Sequence, residues 1–270
     1  MIKRFFQLIF AHPLTRDTDL DSPETTVLRS RIIQKKPFLK QFYHECYLSI
    51  AKSLPAKLDG PVLELGSGAG FLKEYIPNLL SSEILKMPEM DIILDGTCLP
   101  FSTNSLKGIV MIDVFHHIPN IGCFLSDAAT CIKPGGVIIM IEPWSTPWSR
   151  FVYRHLHHEP FEPEIEEWKL PAGGPLSQAN SALPWLVFER DQMKFEKKFP
   201  DLHIKEIMLN YPFCYLLSGG VSLRSLIPGH MYKVIRKIEK LTQPWMHSLA
   251  MFAKIVIERK VVARDYLRQK

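Results

Sequence analysis

The chain has 270 residues, room for one elaborated domain or two small ones. Hydrophobic residues make up 46% and charged residues 23%, with 21 prolines against 14 glycines, which excludes collagen-like, low-complexity and wholly disordered chains. A net charge of +5 is too mild to indicate a nucleic-acid binder by itself, and it suits an acidic ligand or an anionic membrane surface.

Residues 1–58 read as an N-terminal helical extension. Residues 1–10 have a short apolar stretch but no small-residue cleavage site after it, so a mature, cytosolic terminus is expected. Phe38, Phe42, Cys46 and Ile50 recur at four-residue steps, the buried face of an amphipathic helix. The five cysteines are scattered and never form a C-x-x-C pair, so neither a disulfide framework nor a zinc site is signalled and a reduced, cytoplasmic compartment is expected. No segment approaches 18 uninterrupted apolar residues, so no transmembrane helix is expected.

Residues 59–270 read as one α/β domain. The stretches 61–65, 108–113 and 137–141 are continuous apolar runs, as parallel strands covered on both faces require. Intervening helical segments make the pattern that of a doubly wound, mostly parallel sheet with helices on both faces. Residues 143–195 break the rhythm with Trp144, Trp148, Trp168, Trp185 and many prolines. Too long for a connection and too aromatic for a linker, they predict a cap inserted after strand five. A strand near 203–209, a loop through Ser218-Gly219-Gly220, a basic helix over 232–241 and a last strand near 252–258 follow.

The most informative string is Val62-Leu63-Glu64-Leu65-Gly66-Ser67-Gly68-Ala69-Gly70, a strand running into a glycine-rich turn, with residues 71–75 reading as a helix. Glycines there let backbone approach a ligand closely, and a helix N-terminus offers free N–H groups. A dinucleotide fold needs G-x-G-x-x-G with the pyrophosphate on those amides. Here the spacing is G-x-G-x-G, and Glu64 two places earlier would repel a phosphate and favour a cationic ligand.

This string resembles motif I of the class I, Rossmann-like S-adenosylmethionine-dependent methyltransferases, specifically the type 11 methyltransferase-domain family. Companions follow in order over about residues 60–142. Glu83 is placed like the family's acid for the ribose hydroxyls, with Glu in place of the usual Asp. Asp95-Gly96-Thr97-Cys98-Leu99-Pro100-Phe101 is similar to the D-A-x-x-L-P-F segment that holds the adenine. Asp113-Val114-Phe115-His116-His117 resembles the segment ending strand four, and Ile132-Lys133-Pro134-Gly135-Gly136 the turn before strand five. The resemblance implies a seven-stranded sheet, S-adenosylmethionine as cofactor, and Glu64, Gly66, Gly68, Gly70, Glu83, Asp95, Gly96 and Asp113 as its binding residues. It implies methyl transfer to an O, N or C nucleophile of a small or lipid/glycan-linked acceptor.

Alternatives stay open at several residues. Asp95 also reads as a turn cap, and Asp113 as a helix cap. His117 and His158 are the candidate catalytic bases, with Tyr153 and Glu159 behind them; a histidine packed against backbone is the competing reading. The string His155-Leu156-His157-His158-Glu159-Pro160 has metal-ligand chemistry but no recognised zinc spacing, so no metal is expected. Asn180 in the cap reads equally as an acceptor contact or as turn chemistry. Lys233, Arg236, Lys237 and Lys240 read as a solvated face or, beside Met231, Val234, Ile235 and Ile238, as a peripheral membrane contact. The competing functions are a catalytically silent cofactor-binding protein and an NAD-dependent oxidoreductase. A nucleic-acid acceptor is a fourth reading and is not expected: it calls for a denser basic surface, and the family's N-P-P-Y-type segment after strand four is absent.

Overall fold

A computed structural model describes residues 12–14, 18–68, 70–88, 90–157 and 159–261. The apolar start over 1–10 and the candidate base His158 lie outside the described residues.

The strands are β1 (Val62–Glu64), β2 (Leu79–Glu83), β3 (Ile92–Ile93), β4 (Leu106–Ile112), β5 (Ile132–Pro143), β6 (Leu202–Asn210) and β7 (Phe252–Arg259). They form one seven-stranded sheet in the order β3-β2-β1-β4-β5-β7-β6. Pairing is parallel from β3 through β5, whereas β7 runs antiparallel to both β5 and β6. The helices are α1 (Pro23–Lys35), α2 (Pro37–Ser53), α3 (Ile121–Cys131), α4 (Pro147–His155), α5 (Gln192–Lys198), α6 (Cys214–Ser218) and α7 (Tyr232–Leu241).

Period-two alternation divides the buried side chains between two layers. Ile109, Met111, Ile138, Met140, Ile255 and Ile257 face one side, covered by α3, α5 and the helical segment from Leu183 that passes through a π-helical stretch, Leu186–Arg190. Val110, Val137, Ile139, Ile141 and Val256 face the other, covered by α2, α4, α6 and α7. The predicted stripe Phe38, Phe42, Cys46 and Ile50 is wholly buried on this second side; each such side chain contributes about 1.5–3 kcal/mol.

Local chemistry explains the breaks. Pro37 separates α1 from α2, because the residue before a proline is driven out of the helical region and Lys36 is extended. The buried Lys36 ammonium donates to the carbonyls of Gly220 (2.6 Å) and Leu223 (2.9 Å), tying the helical extension to the loop after α6. Burial lowers its pKa to about 8. α4 starts with Pro147 and a reciprocal Thr146–Ser149 capping box.

Two local expectations are corrected. Residues 71–75 form not a helix but a single 3-10 turn, Leu72–Glu74. Only a few residues separate the glycine turn from β2, and Pro77 stands among them. The layer above that turn is instead supplied by α2, where Tyr47 packs edge-on against Phe71 (4.8 Å between centroids) and its hydroxyl accepts the Phe71 N–H (3.2 Å). Arg236, read as part of a solvated basic face, turns inward and pairs with Glu45 of α2 and Glu239 of its own helix. What stays outside on α7 is Lys233, Lys237 and Lys240 together with Val234, Ile238 and Leu241, and Trp245 lies just beyond.

Candidate active site

A cavity of about 730 Å³ opens at the C-terminal ends of β1, β2 and β4, where open α/β sheets take their ligands. The glycine turn forms one wall. Gly66 has φ +63°, and a Cβ on it would lie 2.5 Å from Val114 Cγ2. A Cβ on Gly68 would stand 2.7 Å from Glu83 Oε2 and 3.0 Å from Thr26 Cγ2. Ser67 and Ser82 lace the turn to β2, Ser67 N–H donating to the Ser82 carbonyl (2.9 Å) and Ser82 N–H to Ser67 Oγ (3.2 Å).

Two carboxyls lie under this turn. Glu83, the last residue of β2, is buried and accepts the Ile84 N–H (2.9 Å); burial raises its pKa, and the nearby backbone amides of Ile84, Gly68 and Leu85 oppose the rise. Burial pushes Glu64 up to about 7, with the Ser67 hydroxyl opposing and Glu83 adding repulsion. Asp95 and Gly96 form the far rim beside Ile118. Asp95 Oδ1 accepts both the N–H and the hydroxyl of Thr97 (2.8 Å each), so the turn-capping reading is realised even though the residue lines the cavity. Asp113 sits on the wall with φ +55°, and burial, offset by His116, raises its pKa to about 8.

All eight residues singled out for a cofactor line this one cavity, as does His117. Arg29 and Thr26 of α1 and Tyr43 and Tyr47 of α2, to which no motif points, line it as well. They belong to elements remote in sequence, and nothing in their local pattern separates them from ordinary helix residues.

At the other end the chain builds a charged network. The Val114 and Phe115 N–H groups donate to Glu142 Oε1 (2.8 and 2.9 Å), and Glu142 Oε2 takes His116 Nδ1 (2.7 Å). His116 Nε2 lies 3.3 Å from Glu159 Oε2 and His117 Nε2 3.6 Å from Glu159 Oε1. His117 Nδ1 donates to the Gln178 carbonyl (2.8 Å). Burial opposes charge on His116, yet Glu142 and Glu159 hold its pKa well above the usual imidazole value. Burial likewise opposes charge on Glu159, and His157, His116 and His117 hold it well below the carboxylate range.

Within the predicted cap, Tyr153, His157 and Glu159 reach the cavity. Asn180 does not: its side chain is spent on Glu162 N–H, Glu162 carbonyl and Ala182 N–H (3.0 Å each), so turn chemistry accounts for it. Trp144 and Trp168 are core residues.

Residues 63–140 match the family model described as a methyltransferase domain, Methyltransf_11. Over these residues the chain carries a methyltransferase domain. Its fold is shared with geranyl diphosphate C-methyltransferase from Streptomyces coelicolor A3(2), solved with Mg2+, geranyl diphosphate and S-adenosyl-L-homocysteine. That likeness has a TM-score of 0.51 at 12% identity and covers 96% of each chain. A chain from the complex between the Haloferax volcanii Trm112 methyltransferase activator and a methyltransferase matches at TM-score 0.50 and 13% identity, over 91% of this chain and 99% of that one. At such identities the likeness is one of fold. No curated protein matches the sequence. Within the methyltransferase domain lie Glu64 to Asp113 of the cofactor set and the His116–His117 pair; Glu142 and Glu159 lie beyond it.

The Glu64 carboxyl gives this wall a pH dependence. Its folded pKa is raised from 4.5 to about 7, so its contribution to folding is complete below pH 4.5 and is lost as pH rises through 7. A cationic ligand favours the ionised form. Affinity for such a ligand is therefore expected to rise between pH 6 and pH 8 with proton release, and Glu64→Gln to flatten the rise. Calorimetry in buffers of different ionisation enthalpy reads both; a proton count of zero in the unmodified protein would refute it.

Proposed function

We propose that this protein transfers the methyl group of S-adenosylmethionine to an O, N or C nucleophile on a small or lipid/glycan-linked acceptor. The observation that carries the reading is the continuity of one cavity from the glycine turn and Glu83 to His117 and Glu159. The residues fit the cofactor: the absent side chain at Gly68 leaves room in front of the buried Glu83 carboxylate, which suits ribose hydroxyls. Glu64 suits the ligand's positive charge, and Arg29, which lines the cavity, suits its carboxylate.

When bound, S-adenosylmethionine supplies a methyl group already activated on a sulfonium. The protein's own task is alignment, which is worth roughly 7–11 kcal/mol of a barrier. Gly66 and Gly68 shape the turn, Asp95 and Gly96 close the far rim, and the cap residues Tyr153 and Glu159 bound the acceptor end. His117 is the candidate base. Its Nδ1 proton is committed to the Gln178 carbonyl, so Nε2, 3.6 Å from Glu159 Oε1, is the nitrogen left to take an acceptor's proton. His158, the other candidate, lies outside the described residues.

A lipid-linked acceptor is favoured by the exposed stripe Val234, Ile238, Leu241 and Trp245 beside three lysines, the composition of a surface that rests on an anionic bilayer. An NAD-dependent reaction is disfavoured by Glu64 beside the turn. The test is incubation with S-adenosylmethionine and cell extract: S-adenosylhomocysteine should appear with an extract component heavier by one CH2. His117→Ala should lower turnover by roughly 10²–10⁴-fold with cofactor affinity retained. Binding without release of S-adenosylhomocysteine would favour the silent alternative.

A further inference from the structure

We propose that His116, His117 and Glu159 form a binding site for a divalent transition-metal ion at the acceptor end of the cavity. Their ligating atoms, two imidazole nitrogens and a carboxylate oxygen, all lie within 4.8 Å of one another. Sequence spacing conceals this set, because the histidine pair follows β4 while Glu159 follows α4.

Geometry beyond proximity points to a metal. Each histidine has its Nδ1 fixed by a partner that accepts: the Glu142 carboxylate for His116 at 2.7 Å, the Gln178 carbonyl for His117 at 2.8 Å. Both rings are thereby turned so that Nε2 converges on the same carboxylate, at 3.3 and 3.6 Å. Metal-bound histidines are supported in this way, with the second ring N–H on a carboxylate or carbonyl that fixes tautomer and orientation. The separations suit ligands sharing one ion at about 2.0–2.2 Å from each. Glu142 is itself fixed by two backbone N–H groups, so the support continues into the strand ends.

Two imidazoles and one carboxylate select Zn2+, Mn2+ or Fe2+ over the all-oxygen preference of Mg2+ and Ca2+. Three protein ligands leave positions for substrate on the cavity side, so the site would take an acceptor through oxygen. This deepens the methyltransferase reading and rests on it for the acceptor's role. A hydroxyl held there loses its proton to solvent, its oxygen takes the methyl carbon, and the sulfur keeps the electron pair of the broken C–S bond. His117 then acts as a ligand, and acidification of the hydroxyl passes to the ion.

The test uses the full, tag-free chain after chelation. Titration with ZnCl2 and with MnCl2 should show one equivalent bound, and CoCl2 should give a visible ligand-field spectrum. Glu159→Gln and His117→Gln, both checked for folding by circular dichroism, should each weaken the metal at least tenfold and change the cobalt spectrum. S-adenosylmethionine affinity of the same variants should stay within about twofold, the glycine turn being untouched. Absence of stoichiometric metal binding in the parent chain, or equal affinity in both variants, overturns the site. A chain that binds the metal but no S-adenosylmethionine keeps the site and removes the methyltransferase reading; the reverse pattern does the opposite.

Discussion

Gly68→Val is expected to cut S-adenosylmethionine affinity on the order of a hundredfold, about 2.7 kcal/mol, while the circular dichroism spectrum stays that of the parent. The backbone at Gly68 lies outside the left-handed region, so valine brings no backbone strain. Its effect is local and steric: the first added carbon already stands 2.7 Å from Glu83 Oε2 and 3.0 Å from Thr26 Cγ2. The two branches must then displace the carboxylate or enter the cavity, and either removes what the ribose would meet. Overpacking costs typically 1–3 kcal/mol of stability, well short of unfolding. Unchanged affinity by calorimetry would remove the glycine turn from the cofactor site.

The second large effect is on stability. Glu142→Ala is expected to cost about 3–5 kcal/mol, because it removes the carboxylate at His116 Nδ1 and leaves Glu159 alone to offset the buried His116 charge. It also leaves two backbone N–H groups, those of Val114 and Phe115, without their acceptor. For a chain of this size that is a fall in melting temperature on the order of 10 °C. Glu142→Gln, which keeps an acceptor for the amides, should lose less, and the His116 imidazole should titrate lower by NMR. A melting temperature within a degree or so of the parent in Glu142→Ala would show that the network is not structural.

The contrast between these two sites follows what was legible in the sequence. The glycine-turn wall of the cavity was readable because its signals are local: a buried strand, a turn that needs glycine, an acid at the next strand end. Continuous apolar runs likewise gave β1, β4 and β5, and charge at helical spacing gave α7 with its bounds. β2, Leu79-Leu80-Ser81-Ser82-Glu83, is short and half polar, so no continuous apolar run announces it. The histidine–glutamate network was hidden because its contacts join remote elements. Glu142 looks like the polar end of a strand, and only the return of the cap brings Glu159 over the His116–His117 pair. The one usable signal was an acid at the carboxyl end of an apolar strand beside two histidines. Likewise, nothing in α1 announces that Arg29 enters the cavity.

The single 3-10 turn that stands in place of a helix after β1 makes the sheet uneven in thickness. β4, β5 and β7 are clamped between layers and by long ladders, whereas β3 is a two-residue edge joined to β2 alone. The glycine-turn end of the cavity is thus carved from the thin margin, and the histidine–glutamate network from the braced centre. A ligand lodged in the margin supplies buried surface that the chain itself omits there, so occupancy tightens β1 to β3 preferentially and leaves the centre as it was.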